Sequence, residues 1–484
     1  MPGDANLPVL DKFAVGAPCL LARATIFRYD SPWSIARTRR PLRGYAAWRN
    51  YYVRGASKDL VGYLASPTLP WKPLIVGLSL GKFMFESYIT LRQCRVLCKP
   101  RPPTVLEKEI NPETFAKTQA YGLAKARFSL ASGVWYTAIK YLYLKHDVLT
   151  KFWHFSGDMI LKYAPSSWAG TVGQSIVFAT VYLMANMIET IPLQLYQTFV
   201  IEQKFGFNKQ SLGGFVMDQI KTFFISTTFL IPAVAGFLYI TNKAGDKCAL
   251  YLGLGSLGLR FFIMTVYPVF ILPMFFKLSP LISGDYRDGI QALAKKLSFP
   301  LSKLYLADGS SRSTHSNAFF FGFPWQKNIV VFDTLIAQMN PGEVSAVVAH
   351  ELGHWKLGHT AWLFVLQQFD LIYSFGLFSL IYSNPNFYSS FGLGREQPVI
   401  VGFLLFCQVL PPLSSAQQLL NNVFSRKYEY EADAFAKSLG LRSELSTALL
   451  KLNLNNLSTI DADAVYSSYH HSHPLLAERL AALQ

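Results

Sequence analysis

The sequence predicts an all-α, polytopic membrane protein with about seven transmembrane helices and a small β-sheet edge outside the lipid. Three observations predict it. Hydrophobic types make up 51% of the 484 residues and charged types only 15%, well below the roughly 25% of an ordinary soluble domain. The mean hydropathy is positive, at +0.24. Seven stretches are apolar over close to the ~20 residues that a bilayer span needs. This balance excludes a disordered chain and argues against a wholly soluble enzyme. Five scattered cysteines, Cys19, Cys94, Cys98, Cys248 and Cys407, imply no disulfide framework.

Three of the stretches are nearly or wholly free of charge: Thr171–Ile188, Thr222–Asn242 and the long Pro398–Phe424. Cys248–Phe276 contains Arg260, and Thr360–Ser383 contains Asp370. The two weakest are Pro73–Leu91, with Lys82 and Glu86, and Phe128–Leu144, with Lys140. A charge facing lipid costs several kcal/mol, so such residues normally face a polar interior or each other. Lys82 and Glu86 stand four apart on one helical face, where they can pair. Either the spans border a water-containing cavity, or these charges mark span ends set slightly wrong.

The net charge is +16, which taken alone suggests nucleic acid. The distribution points elsewhere. With the N-terminus outside, segments 92–127, 189–221, 277–359 and 425–484 lie inside and hold 25 Lys and Arg, against 7 outside. That is the positive-inside pattern, and it leaves no nucleic-acid partner to explain. Residues 1–66 complicate it, with 10 basic and 4 acidic residues. Such an Arg-rich, acid-poor stretch resembles an organellar transit peptide. We expect a basic, disordered extension over 1–67, a segment that is removed or a start-site artefact.

Outside the lipid, Asp285–Leu297 reads as a helix and Lys303–Ala307, Asn317–Phe323 and Ile329–Phe332 read as short strands. Gly322-Phe323-Pro324-Trp325 supplies turn chemistry. Ser425–Gln484 reads as helical. Repeats and low-complexity tracts are absent from the sequence.

The strongest motif is His350-Glu351-Leu352-Gly353-His354, in a helix opened by Asn340-Pro341-Gly342-Glu343. Two histidines four apart share a helical face, so both imidazoles can ligate one zinc ion. Glu351 is then placed as general base for an attacking water. Catalytic zinc usually takes three protein ligands. His359, five residues after His354, turns away from that face and misses the metzincin spacing. Glu429 and Asp433, four apart in Tyr428-Glu429-Tyr430-Glu431-Ala432-Asp433, fit better. Glu429 can ligate, and Asp433 can accept a hydrogen bond from a ligating imidazole. Glu431 points about 200° around the helix from Glu429 and cannot ligate with it. An acidic surface helix is the bland alternative. Topology favours the site, because two predicted spans separate His354 from Glu429 and so put both on one side of the membrane.

The His350–His359 run, the Arg426–Ala436 stretch, the Ser313–Gly322 stretch and the terminal Ser472–Leu480 run closely resemble the integral-membrane zinc CAAX prenyl proteases of eukaryotes. The likeness runs in order from about Leu69 to the C-terminus. It implies seven helices enclosing a large aqueous chamber, and a gluzincin-type zinc protease domain at the cytosolic end. The implied enzyme is a zinc metalloendopeptidase that removes the last three residues of prenylated CAAX proteins. One Zn2+ per chain would be held by His350, His354 and Glu429, with Glu351 as catalytic acid and base. Asn317 would hold the substrate backbone, His473 would hydrogen-bond the oxyanion, Asp433 would support a ligand and Arg479 would be a charged wall residue. Read without the family, Asn317 fits a substrate-binding edge somewhat better than a turn former, and His473 is more often a structural histidine. Cys94 and Cys98 fit packing better than acylation.

The implied organisation is residues 68–277 as helices one to five, 278–359 as the zinc protease segment, 360–424 as helices six and seven, and 425–484 as the helical segment with the third ligand. A monomer in membrane lipid is expected, multi-pass in the endoplasmic reticulum membrane or nuclear envelope, its site facing the cytosol. Two other readings stand beside this one. The first is a zinc membrane protease for quality control of misfolded or translocon-stalled proteins, with no prenyl requirement. The second is a seven-span receptor or transporter in which the histidine pair is incidental.

Overall fold

The computed structural model describes residues 62, 63, 66, 69–323, 325–394 and 396–484. The expected extension over 1–67 falls almost wholly outside them. Long helices dominate: α1 Trp71–Val96, α2 Pro112–Lys145, α3 Val148–Tyr163, α4 Thr171–Tyr196, α5 Leu212–Lys243 and α6 Cys248–Val266. Through π-helical turns α4 continues to Phe205 and α6 to Phe275. Then follow β1 Leu278–Pro280, α7 Asp285–Leu297, β2 Leu301–Ala307, β3 Ala318–Phe323, β4 Gln326–Phe332, α8 Asp333–Gln338 and α9 Pro341–Lys356. The chain ends with α10 His359–Ser379, α11 Pro385–Ser389, α12 Val399–Cys407, α13 Pro411–Ser438, α14 Arg442–Asn455, α15 Ala464–His470 and α16 Leu476–Leu483.

Among the described residues five helices are long and apolar enough to cross a membrane, namely α1, α4, α5, α6 and α10. The stretch expected as one last span is broken into α12 and α13, bent by 58°, and makes a sixth if the pair is one span. The seventh expected span lies within α2, and composition does not qualify it. Its polar face explains this. Lys140, Tyr136 and Tyr143 of α2 line a cavity of about 200 Å³ with Tyr182, Asn186 and Glu189 of α4, and the Tyr143 hydroxyl bonds Glu189. The other intramembrane charges also find partners. Lys82 Nζ lies 3.5 Å from Glu86, and Arg260 donates to Gln367 Oε1 at 2.8 Å, with Asp370 as an opposing charge.

The water-facing segment is where the sequence reading was closest. The sheet order is β1-β2-β4-β3, with β2 parallel to β4 and the other pairs antiparallel. Side chains alternate across a strand, and β4 uses both faces. Ile329 and Val331 join a core with α7, α9, α14 and α16, while Val330 and Phe332 pack with Ile225 of α5 and with Ile271, Leu272 and Phe275 at the end of the α6 span. The sheet is therefore a plate between the membrane helices and the helical layer that carries the histidine motif. β3 ends the strand order and is an edge.

Candidate metal centre

α9 starts on a capping box. Asn340 Oδ1 accepts from the Glu343 backbone N–H at 2.9 Å, and Glu343 Oε2 accepts from the Asn340 N–H at 3.0 Å. Lys451 of α14 donates to both Glu343 oxygens at 2.8 and 2.7 Å, which pins the helix start to its neighbour. Ten of the 16 residues of α9 are buried, so the helix has little freedom to shift. Gly353 sets its distance from α13. A Cβ there would lie 3.1 Å from the Phe435 ring and 3.3 Å from the Ala432 Cα, so a bare backbone is what lets the two helices close up.

That approach brings Glu429 to the histidine pair. The Nε2 atoms of His350 and His354 lie 3.2 Å apart. Glu429 Oε2 lies 3.4 Å from His350 Nε2, and Oε1 lies 3.2 Å from His354 Nε2. One donor atom from each of the three residues lies within 4.8 Å of the others. The chemistry of this donor set fits a divalent cation. On the far sides, His350 Nδ1 lies 2.8 Å from Asp433 Oδ1, and His354 Nδ1 lies 3.1 Å from His359 Nδ1. With both Nδ1 atoms donating, both Nε2 atoms carry lone pairs that face each other and a carboxylate. Repulsion among those three donors is removed by a positive ion between them. The pocket favours positive charge in a second respect. Burial pushes the His350 imidazole pKa down, but the Glu429 and Asp433 carboxylates outweigh it and raise the pKa above the ordinary value.

Arg479 locks the rim. Its Nε donates to Asp433 Oδ2 at 2.8 Å and its Nη2 to Oδ1 at 2.6 Å, a fork geometry that fixes the carboxylate plane. Its Nη1 lies 3.3 Å from Glu429 Oε2. Burial opposes the guanidinium charge, and Asp433 with Glu429 more than restores it, so its pKa rises. His473 reaches the same carboxylate, its Nδ1 2.9 Å from Glu429 Oε2. His350, Glu351, Glu429, His473, Arg479 and Asn317 all line one cavity of about 150 Å³. The edge strand starts at Ala318, one residue later than expected, and the Asn317 carbonyl accepts from the Phe332 N–H at 3.1 Å.

All eight residues singled out in the sequence are thus gathered around this cavity, Asp433 and His354 through their contacts with its lining. Two others, set aside as ligands in the sequence, make a contact that it did not show. His359 does not join the donor cluster, as its spacing implied, and Glu431 turns away as its helical angle implied. They meet each other instead, His359 Nε2 lying 2.9 Å from Glu431 Oε2. The sequence signal was that each stands on the outer side of a motif whose inner side was already assigned. The stretch before His473 is also held from afar. Arg92 of α1 donates to Asp463 at 2.8 Å, Lys99 lies 2.7 Å from Asp461, and the Tyr469 hydroxyl bonds Glu86 at 2.9 Å.

Comparison with known proteins places the chain. Residues 281–484 match the model of peptidase family M48, and residues 93–277 match the N-terminal model of CAAX prenyl proteases, described as having five membrane helices. The chain belongs to the M48 CAAX prenyl protease family. This M48 chain is 40% identical over 442 residues to CAAX prenyl protease 1 of Saccharomyces cerevisiae, covering 88% of this chain and 98% of that one. It is 35% identical over 441 residues to the human CAAX prenyl protease 1 homolog, covering 83% and 93%. The crystal structure of S. mikatae Ste24p superposes with a TM-score of 0.82 at 40% identity, covering 87% of this chain and all of that one. The M48 chain is therefore a membrane metallopeptidase, and the resemblance read from its motifs was to the right family.

Proposed function

We propose that this chain is a zinc metalloendopeptidase that removes the C-terminal three residues from prenylated CAAX proteins at the membrane. The observation that carries the reading is the meeting of His350, His354 and Glu429 in one cavity with Glu351, beside the sheet edge that Asn317 opens. Under this reading the three residues hold one Zn2+ per chain. A zinc ion supplies Lewis-acid polarisation of the scissile carbonyl and acidifies water. Glu351 takes the proton of the attacking water and delivers it to the leaving amine. A peptide laid along β3 gains main-chain hydrogen bonds by strand addition, and Asn317 fixes its register. His473 donates to the developing oxyanion. Asp433 orients His350, and Arg479 holds Asp433 while forming a charged wall of the cavity.

The polar cavity between α2 and α4 supports a water-containing chamber among the membrane helices. The sheet joins both layers, which supports dividing the chain into 68–277, 278–359, 360–424 and 425–484, with 1–67 as an extension. The basic loops support an orientation with the site facing the cytosol, and we take the multi-pass chain to sit in the endoplasmic reticulum membrane or nuclear envelope. A monomer surrounded by membrane lipid suffices, because every proposed site residue comes from one chain.

The test is cleavage by purified protein of paired peptides, one prenylated CAAX sequence and its unprenylated twin, with and without a zinc chelator. The reading expects release of the terminal tripeptide from the prenylated peptide alone, abolished by chelator and restored by zinc. Equal cleavage of both peptides would replace it with the quality-control alternative.

A further inference from the structure

The two histidines of the motif are supported differently behind their metal-facing edges. His350 Nδ1 meets Asp433, a buried carboxylate clamped by Arg479. At the corresponding place behind His354 stands a third imidazole. His354 Nδ1 lies 3.1 Å from His359 Nδ1, and His359 Nε2 lies 2.9 Å from Glu431 Oε2. The His359 side chain is 3% exposed, and its ring stacks on Tyr428 with centroids 4.2 Å apart and planes 13° apart. Burial and the stack restrain the ring.

Proton placement follows along this line. A carboxylate only accepts, so His359 carries its proton on Nε2 and donates it to Glu431. His359 Nδ1 then holds a lone pair and can only accept. The contact between the two Nδ1 atoms needs one proton, which must come from His354. His354 is left with a lone pair on Nε2, the atom that faces Glu429 and His350.

We propose that Glu431 and His359 form a positioning relay for His354: the carboxylate sets the tautomer of His359, and His359 sets the tautomer and ring angle of His354. Neither touches the reacting atoms. The inference rests on the zinc reading above and deepens it, because it gives the second ligand the orienting partner that metal-bound histidines need. The two supports differ in strength. Glu431 is 40% exposed and shares its other oxygen with Lys427 at 3.6 Å, whereas the Asp433 side chain is 2% exposed. Solvent screens the outer carboxylate, so its removal has the smaller effect.

The experiment uses the full chain in detergent, stripped of metal and reloaded. Two quantities are read: the zinc dissociation constant by chelator competition, and the visible spectrum of the cobalt-loaded protein. Glu431→Ala and His359→Ala are expected to weaken zinc binding by about 10- to 100-fold and to shift the cobalt bands. Glu431→Gln keeps an acceptor oxygen and is expected to recover most of the loss. A merely structural role would lower the melting temperature of the metal-free protein while leaving the cobalt spectrum in place. Unmodified protein that binds zinc, alongside Glu431→Ala and His359→Ala proteins with the same affinity and spectrum, would overturn the relay and leave the zinc reading standing. Unmodified protein that takes up no zinc would remove both.

Discussion

The helix that carries the histidine motif and the helices that cross the membrane are built on opposite terms. Ten of 16 residues of α9 are buried, whereas only 17 to 28% of each candidate membrane span is buried within the protein. Among the membrane helices large apolar side chains such as Ile188, Phe224 and Tyr239 are more than half exposed. Lipid serves as their solvent, and packing there tolerates change. Around α9 each face meets something specific: the sheet and α7, the close approach of α13, and α14 with α16. Metal and substrate geometry need positions fixed to fractions of an ångström, and the chain concentrates its tight packing where that need lies.

Substitutions sharpen this contrast. The largest effect is expected for Glu351→Gln, which should lower the rate of peptide cleavage by about 10²- to 10⁴-fold while metal content stays that of the unmodified protein. A cleavage rate that does not change removes Glu351 from the chemistry. Next comes Arg479→Met. Leaving Asp433 and Glu429 buried without their cation should cost about 3–5 kcal/mol, read as a lower melting temperature of the metal-free protein. A melt that stays in place would show that the rim is not locked by this residue. Gly353→Ala is a purely steric break. The new methyl group must fit against Phe435 and the Ala432 backbone, and overpacking of this kind costs about 1–3 kcal/mol. Metal affinity should fall with it, because Glu429 rides on the displaced helix. The smallest effects belong to the membrane side. Ile188→Leu, on a residue 60% exposed, should change stability by less than about 0.5 kcal/mol, and breaking the half-exposed Lys82–Glu86 pair with Lys82→Gln should cost only a few tenths of a kcal/mol. A membrane-side substitution as costly as Gly353→Ala would erase the contrast.

The same contrast explains what could be read from the sequence. Asp285–Leu297 was legible because its amphipathic period is local, with Asp285 and Asp288 in the first turn and Lys295 and Lys296 in the last. β2 and β4 were found from short apolar runs, but their starts were set too late, since Leu301, beyond an irregularity at Ser302, and polar Gln326 join the ladder by pairing rather than by propensity. The convergence of His350, His354 and Glu429 was legible because four-residue spacing fixes a helical face and span parity fixes a membrane side. The span count was less legible. Lys140 and Glu189 line an interior cavity, so hydropathy understates α2, and the break between α12 and α13 leaves no charge to mark it. The His359–Glu431 contact joins two helices whose packing no local pattern encodes.

The account depends on a ligand that arrives from α13, far along the chain from the histidine motif. Metal analysis of the purified full chain and of Glu429→Ala, run in parallel, tests this most directly. The account predicts stoichiometric zinc in the unmodified protein and its loss from Glu429→Ala, with the fold retained by circular dichroism. Zinc held equally by both proteins would contradict it.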